Sequence, residues 1–140
     1  MDFIDRQIIE LLRRDARLPL KTIAGTVGLA RSSVRSRIAR LEAEELITGY
    51  RAQVALEKAG GAAAIVSIEL ASTPMPDVIA AIVGDPAVDR CYSLAGEIDL
   101  LVEISDVSCA GLNAARDRLS VIPGVVRAKT SLILKRDKAG

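Results

Sequence analysis

The chain has no histidine and no tryptophan, and among its 140 residues only one phenylalanine, two tyrosines and two cysteines. Each shortage removes a class of chemistry. Without histidine, zinc and haem sites lose their commonest nitrogen ligand, and imidazole acid–base catalysis is gone. Cys91 and Cys109 have no metal-ligand spacing, and two unclustered thiols fit a reducing cytosol better than a disulfide framework. No Ser/His/Asp set can form, and no phosphate-cradling glycine loop occurs. Conventional catalysis, metals and cofactors are therefore not expected. Long apolar runs are missing too. The longest stretch without a charge, residues 59–68, is ten residues, half of the roughly 20 that a bilayer demands. Charges at Asp2, Asp5 and Arg6 interrupt the opening, which argues against a signal peptide. A soluble, cytoplasmic protein is expected.

Half of the residues are apolar, enough for a substantial core. With only Phe3, Tyr50 and Tyr92 aromatic, that core has to be aliphatic. The net charge of +1 hides an asymmetry: residues 1–60 hold eleven Lys/Arg against eight Asp/Glu, and residues 61–140 hold eight against ten. A basic front and a mildly acidic back point to a front half that meets a polyanion.

The basic excess gathers in Arg31-Ser32-Ser33-Val34-Arg35-Ser36-Arg37-Ile38-Ala39-Arg40-Leu41. At a helical period, Val34, Ile38 and Leu41 form one inward stripe. Ser32, Ser33, Ser36 and Arg40 then face outward, with Arg35 and Arg37 on the flanks. Like charges at i,i+4 repel, so surface helices usually interleave signs. Arginine forks fit guanine edges and phosphates, and short hydroxyls approach a DNA backbone closely. An ordinary solvated basic face would show the same residues. The upstream segment adds weight: Lys21 to Val27 reads as a short helix with Ile23, Ala24 and Val27 inward, after Pro19 at a first-turn position. Gly28 turns the chain and Leu29 plugs the corner. Short helix, glycine turn and longer Ser/Arg helix make a helix-turn-helix, whose second helix enters the major groove of DNA.

Around this pair, a first helix is predicted from Asp2 or Phe3 to Arg14, with Ile4, Ile8, Leu11 and Leu12 on one side and its charges matched to the helix dipole. The Ser/Arg helix is expected to continue through Glu42, Glu44 and Glu45 to Leu46. Tyr50 to Val54 then reads as a short wing strand whose Arg51 reaches phosphate, or as a loop carrying an exposed arginine. Gly60-Gly61 marks the boundary, giving domains 1–60 and 61–140. Beyond it, Ala62 to Leu70 alternates as a half-buried strand. A helix from about Asp77 to Val83 follows, then strands at 88–95 and 98–105 joined by Gly96-Glu97. A helix capped by Asp106 or Ser108 carries Leu112, Ala115, Leu119 and Ile122, and Val125 to Leu134 is a fourth strand. The order βαββαβ predicts an α+β, ferredoxin-like domain: an antiparallel four-stranded sheet with both helices on one face. Its other face would carry Ile65, Leu101 and Ile133 beside Glu69, Glu103 and Lys129. A partly apolar open face calls for a partner, either a second copy in a symmetric dimer or the front domain.

A winged helix-turn-helix followed by βαββαβ resembles the Lrp/AsnC family, the feast/famine transcription regulators. The resemblance runs over essentially the whole chain. It rests on the opening helix Ile4-Asp5-Arg6-Gln7-Ile8-Ile9-Glu10-Leu11-Leu12, on Val27-Gly28-Leu29 with Arg37-Ile38 and Arg40-Leu41-Glu42, and on Leu46-Ile47 with Gly49-Tyr50. At the back it rests on Cys91 through Asp99 and on Ile122-Pro123-Gly124-Val125 with Thr130. The candidate DNA-contacting residues, read from the outer face of the Ser/Arg helix and from the wing, are Arg31, Ser32, Ser33, Arg35, Ser36, Arg37, Arg40 and Arg51; the resemblance implies paired DNA-binding heads. It implies dimers paired through the second domain, assembling further into tetramers or octamers, and a small effector, an amino acid, near the hairpin Gly96, Glu97, Ile98 and Asp99. There Gly96 frees backbone N–H groups for a carboxylate and Asp99 can hold an ammonium; a plain β-turn with a solvated acid is the other reading. Scarce aromatics favour an aliphatic ligand. Two departures stand out. Ile98 replaces a residue that is often aromatic or polar in the family, and Ala30 replaces the usual capping serine, leaving Ser32 or Ser33 to cap. The expected function is a DNA-binding regulator whose assembly or DNA affinity responds to an effector. An effector-independent architectural DNA-binding protein is the alternative. A sirohaem-decarboxylase-like enzyme is a weaker one, since such proteins rely on histidine.

Overall fold

A computed structural model describes residues 1–137; the last three residues of the domain anticipated at 61–140 lie outside the described residues. The chain forms two compact units, residues 1–53 and 54–137.

The first unit is three helices. Helix α1, Phe3–Arg14, starts at a reciprocal capping box: the Asp2 carboxylate accepts the Asp5 N–H at 2.8 Å and the Asp5 carboxylate accepts the Asp2 N–H at 2.9 Å. Helix α2, Leu20–Val27, starts on Pro19 and stops at Gly28, whose φ of 70° is left-handed and costs glycine nothing. Helix α3, Arg31–Ala43, begins at Ala30 with no side-chain cap. Ser32 and Ser33 do not cap it, because both already lie inside its first turn. Nor does α3 run on to Leu46. Glu45 takes a φ of 54°, and the N–H groups of Leu46 and Ile47 both return to the Leu41 carbonyl, which closes the helix and brings Ile47 back against the core. That core is Ile8, Ile23, Ala24, Val27, Val34 and Leu41, ringed by Ile4, Leu11, Leu12, Leu29 and Ile38. The expected wing strand is absent: residues 50–54 have no strand. An isolated strand has nowhere to place its ladder hydrogen bonds, and the Tyr50 hydroxyl instead donates to Glu42 at 2.8 Å.

In the second unit, a 3₁₀ turn at Leu56–Ala59 precedes β1 (Ala62–Leu70), α4 (Pro76–Val83), β2 (Val88–Ser93), β3 (Leu100–Asp106), α5 (Cys109–Ser120) and β4 (Val125–Leu132). The sheet order is β2-β3-β1-β4, with every neighbouring pair antiparallel. Strand alternation sorts the side chains. Ala64, Val66 and Ile68 of β1 and Leu100, Val102 and Ile104 of β3 are buried with Val78 and Ile82 of α4 and Leu112, Ala115 and Leu119 of α5. On the opposite face Ile65 pairs with Glu103, Ser67 with Leu101 and with Lys129, and Glu69 with Arg127. Strands β2 and β3 are shorter than expected, leaving residues 94–99 as the connecting turn. No described helix is long and apolar enough to cross a membrane.

One turn has no slack. Gly124 enters β4 at φ 101°, and a Cβ there would stand 2.6 Å from Met75 Cε and 2.9 Å from Val78 Cγ2. Gly124→Ala combines backbone strain with overpacking and is expected to cost about 1–3 kcal/mol of stability, read by denaturant unfolding.

Candidate functional site

The outward face of α3 is set by its inward one. With Val34 and Leu41 buried and Ile38 half-buried, Arg31, Ser32, Ser33, Arg35, Ser36 and Arg40 are exposed and Arg37 is half-buried. Ser32, Ser33 and Ser36 line a shallow groove with Arg37 and Arg40. No acid lies in the first turn. Arg31 and Arg35 have no hydrogen-bond or ion-pair partner among the described residues.

Arg37 and Arg40 are in a different state. Asp5 lies on the apolar side of α1 and is 0% exposed, the one buried charged group among the described residues. Arg37 Nη1 reaches its Oδ1 at 2.8 Å, and Arg40 Nη2 reaches its Oδ2 at 2.6 Å. The same Arg37 nitrogen meets Asp2 Oδ2 at 2.6 Å. Two arginines expected to face DNA are therefore tied across the core to the start of α1. The N–H of Asp2 and the guanidinium groups of Arg37 and Arg40 hold the Asp5 carboxyl at about 2, against desolvation that opposes its charge. Asp2 is held low by the Asp5 N–H and then by Arg37; Arg37 is raised by the two acids. Asp2 and Asp5 were not expected in the site. A signal existed, since Asp5 falls within about 20° of Leu12 on a helical projection, and an acid in an apolar stripe needs a cation.

Arg51 is exposed in the irregular segment after α3. In the other unit, Gly96 and Glu97 are exposed at the tip of the turn between β2 and β3, while Ile98 and Asp99 are half-buried. Gly96 has φ 142° with open space where a side chain would be. Asp99 is more than a solvated acid. Its Oδ2 accepts the Leu70 N–H at 2.8 Å, its N–H donates to the Ile68 carbonyl at 3.0 Å, and its carbonyl accepts the Leu94 N–H at 2.9 Å. It thereby fastens the turn to the end of β1. Among the described residues no cluster of three or more Cys, Asp or Glu could hold a metal ion.

The chain matches the family model of the AsnC-type helix-turn-helix domain over residues 1–42 and that of the Lrp/AsnC ligand binding domain over residues 63–140. It is 32% identical over 139 residues to the HTH-type transcriptional regulator FL11 of Pyrococcus furiosus, covering 99% of this chain and 92% of that one. Its fold superposes on the crystal structure of the leucine response regulatory protein LrpA of Mycobacterium tuberculosis with a TM-score of 0.83 and 30% identity, over 99% of this chain and 96% of that one. A feast or famine regulatory protein of M. tuberculosis complexed with L-methionine superposes with a TM-score of 0.84 and 31% identity, over 99% and 95%.

The Asp5 network carries a pH signature. A carboxyl lowered from 3.8 to about 2 on folding stabilises the folded state fully above its unfolded value and loses that contribution as pH falls from about 4 toward 2. Asp5→Asn is expected to lower the thermal midpoint of the first unit at neutral pH. The gap to wild type should close below pH 4, as read from α1 and α3 amide signals. A gap that stayed constant with pH would mean that the loss is one of shape, not of charge.

Proposed function

Because this chain belongs to the Lrp/AsnC family of DNA-binding transcriptional regulators, we propose that α3 reads double-stranded DNA through Arg31, Ser32, Ser33, Arg35 and Ser36. The observation that carries this is the unpaired state of Arg31 and Arg35, among the described residues, on a serine-lined face with no acid in the first turn of the helix. Guanidinium forks without an internal carboxylate are available to phosphate or to guanine. Arg37 and Arg40 border the same groove with their charge already shared, and Arg51 is an outlying phosphate contact. The protein works in the cytoplasm with the DNA it regulates.

The second unit is the assembly and effector unit in this reading. Its half-buried Ile65 and Leu101, on the face opposite the helices, suit a sheet-to-sheet dimer, and further pairing of dimers gives a tetramer or octamer. The effector is an amino acid held near Gly96, Glu97, Ile98 and Asp99, in keeping with the methionine complex of a relative. Asp99 Oδ1, left over when Oδ2 takes the Leu70 N–H, is the acceptor for an ammonium. Ligand and DNA are then linked through assembly: whichever assembly binds the amino acid better is favoured, and DNA affinity shifts reciprocally.

Arg35→Ala is expected to weaken DNA binding and to flatten the dependence of log affinity on log salt by about one for each phosphate that is no longer neutralised. Binding like wild type across a salt series would reject α3 as the reading helix. For the second unit, sedimentation and thermal melts are run at micromolar protein with each of the twenty amino acids. Expected are a dimer or larger species and a raised midpoint with one chemical group of amino acids; ligand at about 100 times its Kd adds about 2.7 kcal/mol. A monomer would remove the sheet pairing, and melts unchanged by all twenty would remove the amino-acid effector.

A further inference from the structure

We propose that Asp2 is a built-in competitor for DNA phosphate, holding Arg37 by a solvent-exposed ion pair that phosphate displaces. The proposal rests on α3 being the DNA-reading helix. Its basis is a division of labour between two carboxylates on the same helix turn. Asp5 is 0% exposed and bonded to both Arg37 and Arg40, so an incoming anion cannot reach it without opening the core. The Asp2 side chain is 51% exposed and the Arg37 side chain 28% exposed. Exposed pairs hold weakly because water competes for both partners. Arg37 also lines the groove formed by Ser32, Ser33 and Ser36, where a phosphate would lie against the serine hydroxyls.

The charges fit the same idea. Two of the four arginines of α3, Arg37 and Arg40, pair with two acids from the start of α1, so half of the arginine charge of the helix is cancelled within its own unit. Sequence-independent attraction to the polyanion, which scales with the phosphates neutralised, is damped accordingly. Displacing Asp2 removes one of the two acids on Arg37, and Asp5 remains to hold the guanidinium in place through Nη1. A guanidinium carries five donors, and Arg37 uses Nη1 for both acids, so its remaining donors can meet phosphate before Asp2 lets go.

The two oxygens of Asp2 make the test clean. Oδ1 accepts the Asp5 N–H as the helix cap, and Oδ2 takes Arg37. Asn is as good an N-cap as Asp, so Asp2→Asn removes the competing charge and leaves the cap. Asp2→Ser, a second capping residue without charge, guards against a folding artefact of the first. The full-length protein is titrated with a mixed-sequence DNA duplex over a salt series. Both variants are expected to bind about three- to tenfold tighter at roughly 0.1 M salt, with the log–log salt slope steeper by about one per subunit. Adding Arg37→Gln should abolish the gain.

Unchanged affinity and slope would make Asp2 a cap and nothing more. Weaker binding would make it a support that aims Arg37 at DNA. A gain that survives Arg37→Gln would be a general effect of net charge. Each of these overturns the proposal. If Arg35→Ala weakens binding while Asp2→Asn changes nothing, the competitor alone falls; if neither matters, the reading of α3 falls with it.

Discussion

A carboxylate buried among aliphatic side chains must be neutralised where it lies, and Asp5 makes that demand at the centre of the first unit. Burial alone favours its neutral form, and an ionised acid left unpaired in such a place would be strongly destabilising. The Asp2 N–H and the guanidinium groups of Arg37 and Arg40 meet the demand together. The consequence is geometric as well as electrostatic. A bond at each carboxylate oxygen, to arginines three positions apart on α3, fixes how that helix rolls against α1. Once the roll is fixed, so is the identity of the residues that point away: Ser32, Ser33 and Ser36, with Arg31 and Arg35 beside them. The groove on α3 is in this sense a product of a buried acid on α1.

Much of this architecture is legible in the sequence, for a physical reason. Ile4, Ile8, Leu11 and Leu12 recur at helical spacing, and Ala64, Val66 and Ile68 alternate at strand spacing, because each element has to bury one face. Those periods are local properties of the chain. The order of elements and the ferredoxin-like sheet follow from them. What stayed hidden were bonds between residues far apart in sequence. Arg37 and Arg40 meet Asp5 across 32 and 35 residues, and Asp99 meets Leu70 across 29. No periodicity encodes such a meeting, so nothing in the sequence pattern of α3 separates the partnered Arg37 and Arg40 from Arg31 and Arg35. The missing wing strand has the opposite origin. Residues 50–54 carry a strand-like pattern, but a strand exists only with a neighbour to pair with, and pairing is not written in the segment itself. The end of α3 depends on Glu45 entering a left-handed conformation, for which glutamate gives no warning.

Asp99, proposed above as an effector contact, is first of all placed by the fold. Its Oδ2 and its backbone N–H both fasten the turn after β2 to the end of β1, which fixes the position of Gly96 and Glu97 beyond it. A binding loop held in this way loses less conformational freedom when a ligand arrives than a free one does. The structural role of Asp99 thus supports the proposed effector role, since one oxygen is committed to the scaffold and the other is carried by it.

The open face of the sheet follows the same logic of prepaired charge. Lone charges there would oppose burial against a second copy, because desolvation costs more than an uncompensated ion recovers. Instead both acids of the face are paired, Glu69 with Arg127 at 3.4 Å, and Glu103 with Arg90 at 4.0 Å and with Arg136, while Lys129 opposite Ser67 adds a further cation. Between them run Ile65 and Leu101, already half-buried by their neighbours. A face that closes on its own copy uses both, the aliphatics to drive association and the pairs so that neither acid is stranded. These residues are the support for the self-association proposed above.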